Sequence, residues 1–279
     1  MNKSAKQLLR NFAFTSGLLL TVGLIVVALA APLLAPFDPD VQDTGHRLQP
    51  PSRTHLLGLD DLGRDVLSRI IFGARVSLRV GFSVVILAST IGITLGAIAG
   101  YFGGAVDTAV MRLTDILLAF PGILLAIALV AVLGPSLNNV VLALATIGWV
   151  GYARLVRGQV LKVREMEYVT AAKALGARSP RVILRHVLPN VINPVIVMAT
   201  LGLAGAILAE AALSFLGLGV QPPTPSWGAM LTSGRRYLGL ANHLAIYPGI
   251  AIMLAVMGLN FLGDGLIDAL DPKYRKLTS

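Results

Sequence analysis

Apolar residues fall in blocks of about twenty along this chain, the length that carries a helix across a bilayer. Six such blocks stand out: Phe14–Leu34, Ser77–Tyr101, Val110–Leu133, Asn139–Leu161, Val191–Leu216 and Ile246–Leu266. The third contains Phe120-Pro121, and a proline inside a helix removes a backbone donor and kinks it. Phe37–Arg75 opens polar and Pro-rich, then reads LGLDDLGRDVLSRIIFGARVSL, a short amphipathic helix leading into the second block. Gly217–Ala245 is the second long connection. The pattern predicts an all-α membrane protein with about six transmembrane helices.

The connection between the fourth and fifth blocks is of another kind. EYVTAAKALGARSPRVILRHVLPN, Glu167–Asn190, is charged yet helical in period. A helix over Glu165–Leu175 places Tyr168, Ala171, Ala172 and Leu175 on one small apolar face, and Gly176 is a good stop. Ser179-Pro180 then supplies an N-cap and a first-turn proline for a second helix. That helix carries Ile183, Leu184, Val187 and Leu188 inward and Arg181 and Arg185 outward, and Pro189 ends it. Packed membrane helices need turns of only about two to eight residues. The pair therefore has another purpose. Its alanine face suits a groove on another protein, and its attachment to two spans would turn a partner's motion into helix motion. A DNA-binding helix pair would need a dimerising domain or a free recognition helix, and neither accompanies it.

Composition supports the membrane reading: 55% of residues are hydrophobic and 13% charged, against roughly 25% charged in soluble domains. The formal net charge of +9 belongs to membrane edges, where basic residues set topology and meet anionic lipid, so lipid is expected as a partner and nucleic acid is not. Lys3, Lys6, Arg10, Arg112, the eight basic residues from Arg154 to Arg185, and Lys273, Arg275 and Lys276 collect on one side. Arg47, Arg53, Arg64, Arg69, Arg75, Arg79, Arg235 and Arg236 collect on the other. The richer side is expected to be cytoplasmic, which puts the helix pair and both termini inside. The first block exceeds a cleavable signal's apolar core and reads as an uncleaved anchor. The chain then divides into an anchor helix (1–36), a periplasmic loop with a short helix (37–76), a five-helix core (77–272) and a cytoplasmic tail (273–279).

Few side chains carry chemistry. There is no cysteine, which excludes disulfides and thiolate sites, and His46, His55, His186 and His243 are scattered, so no metal site is expected. No Ser/His/Asp constellation lies in the spans, so no catalytic residue is expected. Gly92, Gly96 and Gly100 recur every fourth position and allow close helix approach, as ordinary packing or as the seam of a pathway. Gly202, Gly205, Ala206 and Ala209 suggest a second close contact. Glu210, with Ser214 one turn on, is an ionisable residue inside a span, facing a pathway or gate or else bonded to a neighbouring helix. Arg112 and Asp115 stand at pairing distance on one helix. Asp264, Asp268 and Asp271 form an acidic stripe, solvated or docking a basic partner.

Several stretches resemble a known family. AAKALGARSPRVILRHVLPN resembles the cytoplasmic loop of ABC-importer permeases, Glu-Ala-Ala, three residues, Gly, then a spacer ending in Leu-Pro. Ala171, Ala172, Gly176, Leu188 and Pro189 match; Thr170 stands where the motif has Glu, Glu167 lies one turn earlier, and His186 replaces an aliphatic residue. HLLGLDDLGRDVLSRIIFGARVSL, GYFGGAVDTAVMRLTDILLAFP, LSFLGLGVQPPTPSWGAML and LNFLGDGLIDALDPK resemble, in that order, the second permease of dipeptide/oligopeptide importers. The resemblance implies one half of a heterodimeric pore in a bacterial inner membrane. Its partners would be a second homologous permease, two cytoplasmic ATPases and an extracytoplasmic substrate-binding protein. This chain holds no Walker-type loop, so ATP and magnesium would be bound by the ATPases, leaving no cofactor here and no enzyme in this chain. Glu167, Thr170, Ala171, Ala172, Gly176, Leu188 and Pro189 would then couple to an ATPase. Glu210 and Ser214 become candidates for the pathway or gate, and Asp60, Arg64, Asp65, Trp227, Arg235 and Arg236 for contacts outside. Peptide is the expected substrate, with nickel and glutathione as alternatives. The reading from another class is an ATP-independent secondary transporter or channel, which would need broken spans or paired inverted repeats with midplane polar sites.

Overall fold

The computed structural model describes residues 12–270. Lys3, Lys6, Arg10, Asp271, Lys273, Arg275, Lys276 and the tail 273–279 lie outside the described residues. The described chain is helical, with no strand. Its main helices are α1 (Phe12–Leu29), α2 (Val66–Phe102), α3 (Gly104–Leu118), α4 (Gly122–Leu133), α5 (Leu137–Val163), α6 (Glu167–Ala174), α7 (Leu188–Phe215), α8 (Trp227–Arg235) and α9 (His243–Leu270). Five helices are long and apolar enough to cross a membrane, or six if the bent pair α3 and α4 counts as one span.

Three boundaries differ from expectation, each for a local reason. The amphipathic helix ahead of the second block is not separate. Asp65 caps α2 by accepting from the Ser68 amide at 2.8 Å, and the helix then runs unbroken for 37 residues. The third block is not one kinked helix: α3 and α4 meet at 85° about Phe120-Pro121. Pro121 is extended, with ψ 121°, so the helix stops and restarts there. The fifth span also starts early. Ser179–Val182 and a wide π turn over Ile183–Val187 feed directly into α7, so Pro189 sits in its first turn and ends nothing. The π turn explains this tolerance. Proline in a regular helix clashes with the carbonyl four residues back, and an i→i−5 bond from the Leu188 amide to the Ile183 carbonyl opens the turn around it.

Glycine seams hold the bundle together. A Cβ on Gly92 would stand 2.4 Å from the Tyr152 Cβ, and one on Gly96 would stand 2.4 Å from the Ala153 carbonyl oxygen. The small-residue stripe of α2 is thus packing against α5, backbone to backbone, the geometry by which small residues join helices in lipid. A second seam joins α1 to α9. Gly17 lies against the backbone at Leu262, Gly258 against Leu20, and Gly265 against Phe14. Of the fifth-span set, Gly202 abuts the Tyr152 hydroxyl, whereas Gly205 has nothing within 4 Å of an added Cβ.

Candidate functional site

The helix pair is built as a rigid corner between α5 and α7. Only Arg164–Met166 separates α5 from α6. At the end of α6, Gly176 takes φ +81°, the left-handed conformation that glycine adopts without penalty. Its amide bonds to the Lys173 carbonyl at 2.9 Å and the Ala177 amide reaches back to Ala172 at 3.1 Å, the paired closure of a Schellman motif. Ser179 does not cap the next turn: Arg178 occupies the cap position with no side-chain bond. Val169, Val182 and Val187 are fully buried and fix the corner to the bundle. Val182 and Val187 lie five apart, and the π turn brings that spacing onto one face.

Two cations tie the corner to α2. Arg164 Nη1 donates to the Gly100 carbonyl at 2.8 Å, satisfying a last-turn acceptor of α2. The Lys173 ammonium stands 5.0 Å over the Tyr101 ring. Arg157 grips Asp107 with two donors, and Arg154 pairs with Asp115, so α3 is pinned to α5. Asp115 therefore takes its partner from α5 and not from Arg112, which is exposed.

What this corner presents outward is apolar and basic. Tyr168, Ala171 and Leu175 are exposed, Leu175 at 89%, and Ala172 is half-buried. Leu184, expected inward, is 67% exposed, because the π turn rotates it away from Val182 and Val187. Ile183 and Leu188 are half-buried; Pro189, Arg181 and Arg185 are exposed. The Thr170 hydroxyl donates to the Met166 and Glu167 carbonyls, so it serves its own helix, and Glu167 stands exposed in the first turn.

At the opposite end of the bundle, several charges expected to face outward are buried. Asp60, Arg64, Asp65 and Arg69 are each under a tenth exposed. Arg64 Nε bonds to Asp60 at 2.7 Å, and Arg69 Nη1 holds the Pro39 carbonyl at 2.8 Å. His55 bonds to Asp65 at 3.0 Å. The network shapes the Phe37–Asp65 segment over the start of α2, so Asp60, Arg64 and Asp65 are mostly enclosed and hold that segment in place. Trp227 is likewise corrected. It is 2% exposed, its indole packed on Gly73. Arg235 and Arg236 are exposed, with Arg235 5.0 Å over the Phe215 ring. An open cleft is lined by Asp60, Asp61, Arg64, Arg69, Thr224 and Ser233. On the exposed loop, the His46 imidazole bonded to Asp43 holds that carboxyl below the usual carboxylate range.

Glu210 and Ser214, the candidates for a pathway or gate, are both buried within the single chain. Glu210 is fully buried, and the Ser214 hydroxyl donates to its Oε1 at 2.6 Å. Asp264 is exposed and Asp268 half-buried, so the two described members of the acidic stripe differ in setting. Sequence reasoning missed Arg164, Lys173, Tyr101 and the α1–α9 glycines. The glycines carried a readable signal; the cation contacts join residues far apart in sequence and carried none. Among the described residues no group of three or more His, Asp or Glu is placed to hold a metal ion.

Comparisons with known proteins agree with this layout. Residues 92–276 match the family model described as binding-protein-dependent transport system inner membrane component. Residues 3–51 match the N-terminal TM domain of oligopeptide transport permease C. The chain is 49% identical to the dipeptide transport system permease protein DppC of Alkalihalophilus pseudofirmus, over 97% of this chain and 89% of that one. It is 47% identical to the di/tripeptide transport system permease protein DppC of Pseudomonas aeruginosa, over 95% and 89%. It is 44% identical to the glutathione transport system permease protein GsiD of Pectobacterium atrosepticum, over 97% and 90%. A solved chain of the MetNI methionine ABC transporter in inward facing form shares the fold, with TM-score 0.56 and 18% identity over 73% of this chain and 96% of that one.

Proposed function

The chain belongs to the family of binding-protein-dependent transport system inner membrane components, and from that premise we propose that it forms half of a pore for small peptides, driven by ATPase partners through Glu165–Asn190. It is a multi-pass inner-membrane permease subunit of an ABC importer. The observation that carries the coupling role is the corner itself: rigidly closed at Gly176, anchored by buried valines, yet presenting exposed Leu175, Leu184 and Tyr168. Apolar side chains held out on a rigid element, clear of the bundle, suit a protein groove.

The reading is as follows. The helix-pair end faces the cytoplasm, with both termini on that side, as the distribution of lysine and arginine supports. Two ATPases bind ATP and magnesium, and one receives α6. A second permease completes the pore, and a binding protein delivers substrate from outside. Dipeptide, di/tripeptide and glutathione relatives share one chemistry, a short peptide with free termini, which supports that substrate class. Nickel is the alternative cargo within the same machinery.

The test is ATP-dependent uptake of a labelled dipeptide by vesicles carrying this chain with its partner permease, ATPases and binding protein. The Gly176→Trp variant is expected to assemble and to lose uptake. Uptake indifferent to ATP would sink the importer reading in favour of a secondary transporter. ATP hydrolysis stimulated by the binding protein without peptide uptake would keep the machine and reject the substrate.

A further inference from the structure

Both helices anchored at the coupling corner end, at their far ends, on the same short helix. α7 and its lead-in run continuously from Ser179 to Phe215, 37 residues or about 55 Å of helix. Near its far end, Gly228 in the first turn of α8 packs so closely that an added Cβ would stand 2.4 Å from the Ala211 carbonyl oxygen and 2.8 Å from the Ser214 Cβ. α2 ends at the same corner, held there by Arg164 and Lys173. It reaches α8 through Trp227, whose indole donates to the Ile70 carbonyl.

Glu210 lies where α7 meets α8. Its side chain is wholly enclosed, yet its Oε2 has no hydrogen-bond partner among the described residues. Burying a carboxyl costs stability unless its oxygens are matched, and Ser214 matches only one. The first turn of α8 packs beside it: Gly228 lies against Ala211, the next residue of α7, and against Ser214, whose hydroxyl holds Oε1, and Ser226 caps that turn by accepting from the Ala229 amide. The amide end of a helix attracts negative charge.

We propose that Glu210 is a positioning residue that latches the first turn of α8 to α7, so that movement of α7 at the coupling corner is delivered to the outer segment Gly217–Ala245. The inference rests on the coupling role assigned above. α2 holds α8 through Trp227 and α7 holds it through Glu210. Sliding of one helix along the other turns α8 about its first turn and reshapes the cleft at Thr224 and Ser233.

The test uses the assembled transporter. The chain has no cysteine, so a Ser233→Cys reporter in this subunit reads α8 against a cysteine-free background. Labelling by a membrane-impermeant maleimide is compared between the nucleotide-free and vanadate-trapped states, in otherwise wild-type protein and with Glu210→Ala, Glu210→Gln or Glu210→Asp. The reporter alone is expected to change rate by at least about fivefold between states. Glu210→Ala and Glu210→Gln should lose that change while ATP hydrolysis continues, and Glu210→Asp should recover part of it. A full wild-type change in Glu210→Ala would overturn the latch. So would failure of both Ala and Gln variants to assemble, which would make Glu210 a folding residue only. A reporter protein that neither responds to nucleotide nor transports peptide would instead reject the coupling role.

Discussion

The indole Nε1 of Trp227 donates to the Ile70 carbonyl at 2.9 Å, joining the first turn of α8 to the second turn of α2 across 157 positions. The ring lies so close to Gly73 that an added Cβ would stand 2.7 Å from its Cδ1. Gly73→Ala is therefore expected to destabilise the chain by about 1–3 kcal/mol through overpacking. Trp227→Ala should cost about 3–5 kcal/mol through the cavity it leaves. Thermal unfolding of the detergent-solubilised protein checks both, with Leu240→Ala, at a 77% exposed site, as the neutral control.

The α2–α5 seam predicts a contrast between glycines. Gly96→Val places branched carbons against the Ala153 backbone and should separate the helices, lowering the unfolding temperature more than Gly73→Ala does. Gly205→Ala meets nothing and should stabilise α7 by about 0.5–1 kcal/mol, the ordinary gain of alanine over glycine in a helix. Equal losses at the two positions would refute the seam.

The Asp107–Arg157 pair pins α3 to α5. With the side chains 18% and 34% exposed, solvent screening limits the coupling to about 1 kcal/mol. A double-mutant cycle with Asp107→Ala and Arg157→Ala should show it at low ionic strength and lose much of it in 1 M salt, where the Debye length is about 3 Å. Additive single effects at low salt would remove the pair as a brace.

Leu184 stands exposed beside the coupling corner. Leu184→Asp is expected to leave the chain's own stability within about 0.5 kcal/mol, as for surface substitutions generally. Recovery of the ATPase subunits in co-purification should fall. A destabilised chain, or undiminished recovery, would mean that Leu184 is not a docking residue.

Much of the fold was legible because lipid imposes simple length rules. The blocks at Phe14–Leu34, Asn139–Leu161 and Ile246–Leu266 fall on α1, α5 and α9 with small shifts. The glycine step of α2 and the stop at Gly176 could be read because each depends on a residue's own backbone. What failed depended on distant partners. Asp60, Arg64 and Asp65 look like loop charges until Arg69 and the Pro39 carbonyl close around them. Asp115 sits three residues from Arg112, but its partner comes from α5. Leu184 was turned to the wrong side because a π turn shifts the helical period, which no composition rule reports.

The elbow at Phe120-Pro121 has a consequence for what surrounds this chain. α4 has 12 residues and reaches about 18 Å, well short of a hydrocarbon layer of about 30 Å. If the bent pair is one span, an end of α4 lies at a depth where acyl chains offer no hydrogen bonds. Peptide groups at a helix break carry unsatisfied amides and carbonyls, which hydrocarbon does not tolerate. Leu118, Ala119, Phe120 and Pro121 are all exposed in the single chain. An elbow of this kind at membrane depth suits contact with protein or water rather than with acyl chains.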